Sequence, residues 1–166
     1  DDALYGYDGD DTYIYNLGDG KDIIDETNNH SGSDSYGNDK IILGEGITKD
    51  DIYFTRDGNT VKINFEGNSS DSITLNNQLR SNRDKIEILE FNDGSIINLT
   101  DLTQVAFKYE GSNGNDNIDL SGYNYSNIVD AKDGDDVITV SDGNDIIIGG
   151  KGNDVIRANN VGNDTY

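Results

Sequence analysis

Cysteine is absent from the 166 residues, and so are proline, methionine and tryptophan. Without cysteine there is no disulfide staple and no thiol chemistry, so something else must hold a small fold together. Cations are scarce: 12 Lys and Arg stand against 33 Asp and Glu, a net charge of −21. A nucleic acid is excluded as a partner, because phosphate recognition needs a basic surface. Direct docking on an anionic membrane is disfavoured for the same reason. No apolar run is long enough to span a bilayer, so direct membrane insertion by this segment is not expected. No signal peptide is recognisable. The missing Met, with a first residue that falls inside a repeat, leads to the expectation that the chain is part of a longer protein.

What the chain has is glycine and acid in a fixed rhythm. Gly134-Asp135-Asp136-Val137-Ile138, Gly143-Asn144-Asp145-Ile146-Ile147, Gly152-Asn153-Asp154-Val155-Ile156 and Gly162-Asn163-Asp164-Thr165-Tyr166 repeat one pattern. Their Asp residues follow at intervals of nine, nine and ten. Glycine permits tight turns and backbone conformations closed to other residues. Asp supplies a carboxylate, and the turn supplies carbonyls. Calcium takes six to eight oxygen ligands in flexible geometry, which suits an acidic, glycine-rich turn. The residues after each Asp form a short strand centred on an aliphatic residue, as at Ile138, Ile147 and Ile156. Successive turns then face opposite sides, and turns two units apart stack.

The pattern resembles the nonapeptide G-G-x-G-x-D-x-U-x of the RTX, or haemolysin-type, calcium-binding repeats. Gly149-Gly150-Lys151-Gly152-Asn153-Asp154-Val155-Ile156-Arg157 matches every fixed position. Asn113 to Asp119 and Gly6 to Ile14 match in part, and Gly20-Lys21-Asp22-Ile23-Ile24 and Gly37-Asn38-Asp39-Lys40-Ile41 continue the first block. Asp1 to Tyr5 reads as the tail of a repeat. The resemblance implies an all-β fold of right-handed parallel β-roll blocks at 1–43 and 109–166, flanking a small antiparallel β-module at 44–108. It implies calcium as the cofactor, about five ions shared by the pairs Asp2/Asp22, Asp11/Asp39, Asp116/Asp136, Asp136/Asp154 and Asp145/Asp164. Asn127/Asp145 offers a sixth, with a neutral amide as the poorer ligand.

Around those pairs, the residues assigned to metal binding by side chain or carbonyl are, in the first block, Gly6, Asp8, Asp10, Asp19 and Asn38. In the second block they are Gly111, Asn113, Asn115, Ala131, Asp133, Asp135, Val140, Asp142, Asn144, Gly149, Lys151, Asn153 and Asn163. An isolated acidic turn would be an ordinary solvated loop, but register over many turns is not expected of one. An EF-hand is excluded at Asp8, since Tyr13 stands where its loop needs glycine.

The middle segment alternates with period two. Asp51 to Arg56 and Thr60 to Glu66 flank Asp57-Gly58-Asn59 as a hairpin. Val61, Ile63 and Phe65 face one side. Ser72 to Leu75 is a third strand, and 76–84 is a polar loop or helical turn. Lys85 to Phe91 and Ser95 to Leu99 form a second hairpin about Asn92-Asp93-Gly94. Leu102, Val105 and Phe107 seal the core. The segment is similar to the haemolysin-type calcium-binding-related domain.

His30 has no second His or Cys to complete a zinc site. Tyr5, Tyr13 and Tyr166 adjoin the aliphatic slot of a repeat and are expected in the core. Tyr123 and Tyr125, in the degenerate turn, are the surface candidates for stacking on a sugar. Paired carboxylates such as Asp135/Asp136 lie in turns rather than across a cleft, so no enzyme activity is expected. Gly149-Gly150-Lys151-Gly152 lacks the Gly-Lys-Ser/Thr of a phosphate loop.

The resemblance implies a secreted, extracellular bacterial protein, a toxin, exoprotein or adhesin. It would pass through type I secretion machinery with its signal beyond Tyr166 and fold on meeting extracellular calcium. Other expected partners are flanking repeats of the parent chain and a cell-surface glycan or protein. The likeness of Gly162–Tyr166 to Gly9–Tyr13 suggests a longer super-repeat.

Overall fold

The computed structural model describes residues 1–27, 37–80, 85–158 and 162–166. His30 lies outside the described residues. The chain divides into two compact units, Asp1–Gln104 and Val105–Tyr166.

In the second unit, each Asx-rich turn feeds a strand of three to five residues, and alternate strands go to alternate sheets. One sheet holds β10 (Ala106–Glu110), β12 (Ser126–Asp130) and β14 (Ile146–Ile148). The other holds β11 (Asn117–Asp119), β13 (Val137–Val140) and β15 (Val155–Ala158). All four pairings are parallel. This is the parallel β-roll expected from the repeat. The inward places alternate along each strand, so Val129, Ala131, Ile138, Val140 and Ile147 are buried together with Leu120. Each of the Val, Leu and Ile side chains contributes about 1.5–3 kcal/mol by leaving water. The outward places stay exposed even when apolar, as at Ile146 and Ile148.

The first unit starts as a roll and ends as a meander. β1 (Ala3–Leu4) pairs in parallel with β3 (Lys21–Ile24), and β3 with β7 (Asn68–Leu75). β7 then pairs antiparallel with β6 (Thr60–Phe65), and β6 with β5 (Ile52–Asp57). In the second sheet, β2 (Thr12–Tyr15), β4 (Lys40–Leu43) and β8 (Ile88–Glu90) are parallel, and β9 (Ile96–Asn98) closes it antiparallel to β8. Both expected hairpins are present.

The expected division at 43/44 is not where the molecule divides. β7 and β8 continue the two sheets of the first roll, so the module is the roll's continuation rather than a free-standing antiparallel body. The alternation of 44–108 reports which face each residue takes but not which strand lies beside it. The third strand also begins earlier than expected, at Asn68. Val105 and Phe107 are buried, in the second unit.

Candidate calcium-binding site

Asp22, Asp39, Asp136 and Asp145 stand at or next to the start of their strands, each two places before a buried aliphatic residue: Ile24, Ile41, Ile138 and Ile147. Parity along the strand therefore turns Asp136 toward Ile138, and Asp145 toward Ile147, on the inner face. The stacked turns are joined by one recurrent bond. The backbone N–H of each Asp donates to Oδ1 of the Asp one full turn later. The bond is 2.8 Å from Asp2 to Asp22, 2.8 Å from Asp11 to Asp39 and 2.8 Å from Asp116 to Asp136. It is 3.0 Å from Asp136 to Asp154 and 3.1 Å from Asp145 to Asp164. All five expected pairs are brought together, and Asn127 N–H meets Asp145 Oδ1 in the same way at 2.8 Å.

A second ladder runs the other way through the preceding residue. Here the later N–H donates to the earlier side chain: Asn38 to Asp10, Asp135 to Asn115, Asn153 to Asp135, and Asn163 to Asn144. Asn144 N–H finds Ser126 Oγ. The expected ligands Asp10, Asn38, Asn115, Asp135, Asn144, Asn153 and Asn163 thus stitch turns together by their side chains or N–H groups.

The turns must approach closely for these ladders to close. A Cβ on Gly152, at φ +139, would run into the carbonyl oxygen of Gly134, and one on Gly150 into that of Lys132. Gly6, Gly111 and Gly149 leave room for Oδ2 of Asp11, Asp116 and Asp154 respectively. Gly111 N–H and Ala131 N–H donate to the carbonyls of Asp130 and Ile148 at 2.8 and 2.9 Å.

Other expected ligands stand apart from the ladder. Lys151 pairs its ammonium with Asp133 at 3.0 Å. Val140 is fully buried in the core, so only its carbonyl is available to an ion. Asp19 accepts from Asn16 N–H at 2.8 Å in its own local turn. Asp8, Asn113 and Asp142 are exposed.

The test of fit for a cation is the second carboxylate oxygen. Asp136 and Asp145 are 0 % exposed, and Oδ2 of each is buried without a hydrogen-bond partner. Oδ2 of Asp11 is likewise buried and unpartnered. A buried carboxylate left in this state costs several kcal/mol or gives up its charge. Burial pushes the Asp145 carboxyl above its ordinary value, against the hydrogen bonds from Asn127. A divalent cation removes the penalty, so the residues fit calcium. Among the described residues no three acidic or His side chains converge. The rest of such a coordination shell falls to backbone carbonyls of the stacked turns.

Three acidic residues outside the repeat pattern belong to the same architecture. Glu87 accepts from Asp39 N–H at 2.7 Å and so fills the place of the next Asp in that column. Glu26 is buried, accepting from Tyr7 N–H at 2.8 Å and from the Tyr13 hydroxyl. Asp71 receives Gly18 N–H, Gly20 N–H, the Tyr15 hydroxyl and the Asn68 amide. Burial pushes the Asp71 carboxyl up, and those hydrogen bonds together outweigh it and hold it below the usual range. Asp39 has the opposite balance. Burial, with the charges of Glu26, Glu87 and Asp11, pushes it up to about 6, against the bond from Asp11 N–H.

The tyrosines depart from expectation. Tyr5 and Tyr166 are 57 % and 66 % exposed, not core residues. Tyr5 follows the two-residue strand β1 and stacks on Tyr7, rings 5.9 Å apart. Tyr166 follows an isolated bridge at Thr165. Tyr13 is half-buried over Glu26, and Tyr15 is the buried one. Tyr123 and Tyr125 are half-buried: Tyr123 packs on the core of the second unit and Tyr125 lies edge-on to Phe107 at 5.7 Å.

Residues 121–156 match the RTX calcium-binding nonapeptide repeat (4 copies). Residues 62–101 match the haemolysin-type calcium binding protein related domain. No curated protein matches the chain.

Proposed function

The chain belongs to the RTX family of calcium-binding repeat proteins, and from that premise we propose that it is a folding switch set by calcium. In this reading the segment is expanded where calcium is scarce, passes through type I secretion machinery in that state, and folds outside the cell. It serves a secreted bacterial toxin, exoprotein or adhesin, whose other activities lie elsewhere in that protein, and it carries out no catalysis itself.

One observation carries the reading. Buried Asp136 and Asp145 each hold a carboxylate oxygen that nothing in the protein satisfies. With a net charge of −21, carboxylates stacked in columns repel one another and disfavour the compact state. About five divalent ions would cancel about half of that charge. Ligands that bind only the folded state stabilise it by mass action. Extracellular calcium modules bind at about 10⁻⁴ to 10⁻³ M, which spans the step from cytoplasm to exterior. The Asp pairs of both rolls, with carbonyls of their turns, would hold the ions, which supply charge neutralisation and cross-linking.

Small-angle scattering tests the reading. A 166-residue chain has a radius of gyration of about 43 Å unfolded and about 15 Å as one compact body. Contraction on adding millimolar calcium, with no contraction on adding magnesium, is expected. A compact chain in chelator would contradict the switch.

A second reading, an extracellular module holding a glycan or surface protein, is supported by the exposed, stacked pair Tyr5 and Tyr7. A glycan array probed with and without calcium separates the two: binding lost in Tyr5→Ala would favour it.

A further inference from the structure

The column formed by β10, β12 and β14 differs from the others. Its register places Phe107, Asn127 and Asp145 side by side, and Asp164 follows through the Thr165–Ile146 bridge. The column of β11, β13 and β15 holds Asp116, Asp136 and Asp154 in the same places. Asn127 is fully buried. Its side-chain Nδ2 donates to Asp145 Oδ1 at 2.9 Å and to the Tyr125 carbonyl at 2.8 Å. Both partners are acceptors, so the orientation of the amide is fixed. Turned over, its oxygen would face two oxygens. The amide therefore adds a second N–H to Asp145 Oδ1, an oxygen that in the Asp-bearing turns accepts a backbone N–H, and carries its other N–H to the Tyr125 carbonyl. On the other side Phe107, fully buried, offers no side-chain oxygen at all.

We propose that the side-chain amide of Asn127 takes the place of an ion in this turn, so that the Asn127/Asp145 step binds no calcium and stays closed without it. The proposal rests on the calcium reading above and sharpens it. The roll carries one step held by an uncharged donor, next to the Phe107–Tyr125 contact, while the Asp steps on either face depend on the ion. An N–H group pointing at a site repels a cation, and a hydrogen bond from an amide to a carboxylate is among the stronger neutral-donor bonds. Oδ1 of the same amide and Oδ2 of Asp145 are unpartnered; in this proposal the Asp145 oxygen serves the ion of the next step, Asp145/Asp164, and not one shared with Asn127.

Calcium counting by native mass spectrometry and calorimetry on the whole chain tests this, with circular dichroism at saturating calcium to establish folding. Asn127→Asp is expected to bind one more ion than the natural chain, and Asn127→Ala the same number. Equal counts for a folded Asn127→Asp and the natural chain would overturn the proposal. Should Asn127→Asp fail to fold, the natural chain alone decides. The Asn127 side-chain NH₂ protons should exchange slowly in calcium, because they stay bonded. Fast exchange at saturating calcium, or one ion fewer in a folded Asn127→Ala than in the natural chain, would mean that Asn127 gives its oxygen to an ion, and would overturn the proposal. A chain that binds no calcium in any form would instead overturn the calcium reading itself.

Discussion

The backbone N–H of Asp136 donates to Oδ1 of Asp154 at 3.0 Å, while Asp136 Oδ1 accepts from Asp116 N–H at 2.8 Å. Each Asp is thus both a rung and a support, and Oδ2 of Asp136 is left over inside the protein. Replacing Asp136 by Asn keeps an acceptor for Asp116 but removes the charge. The expected result is a calcium requirement raised by about 1–3 kcal/mol, roughly 5- to 150-fold, with a weak effect in chelator. A calcium titration followed by calorimetry checks it, with Glu45→Gln, at an exposed place outside the repeats, as the control that should change little.

Glycine matters where turns touch. Gly152→Ala puts a Cβ against the Gly134 carbonyl at φ +139, which L residues avoid. Gly58, at φ +55, has nothing within 4 Å of a Cβ. Gly58→Ala is expected to cost about 1–2 kcal/mol, and Gly152→Ala clearly more, because backbone must also move. Urea unfolding at fixed calcium gives both values.

Glu87 should behave as a member of the repeat although it lies far from one in the chain. Glu87→Ala leaves Asp39 N–H without its acceptor, at an expected cost of about 1–3 kcal/mol. Glu87→Gln keeps an acceptor and should lose less. Thermal unfolding of the two variants at saturating calcium measures the difference.

Asp39 sets an acid dependence. Its folded pKa of about 6 lies above the ordinary 3.8, so the folded chain binds that proton more tightly than the unfolded one. Its contribution to the calcium-free fold is full below about 4 and is lost as pH rises through about 6. Mild acid should therefore favour calcium-free structure in the first unit. With calcium present the sign reverses, because proton and ion compete for one carboxylate, and the calcium midpoint should rise as pH falls through 6. Titrations at pH 5 and pH 7.5 compare them; Asp39→Asn should flatten the dependence.

The columns of the second unit were legible because their turns return at 18 to 20 residues, so equal offsets in sequence become neighbours in space. Asp11/Asp39 was legible across 28 residues because the motif itself repeats. Glu87 was not, since it lies 48 residues from Asp39, with a hairpin between, and carries no glycine signature. Alternation in 44–108 told inward from outward residues but could not reveal that β7 and β8 lie parallel to β3 and β4. The tyrosines were misread because a slot in a repeat fixes a side, not a depth. Tyr125 lies edge-on to Phe107, which occupies the column's Asp place.

The central claim is that calcium, not apolar burial alone, decides whether this chain is folded. Far-UV circular dichroism of the whole chain during a calcium titration, with magnesium as the control, tests it most directly. A coil-like spectrum in chelator that turns to β near millimolar calcium, and not with magnesium, is the predicted result. A β spectrum that persists unchanged after exhaustive chelation would contradict it.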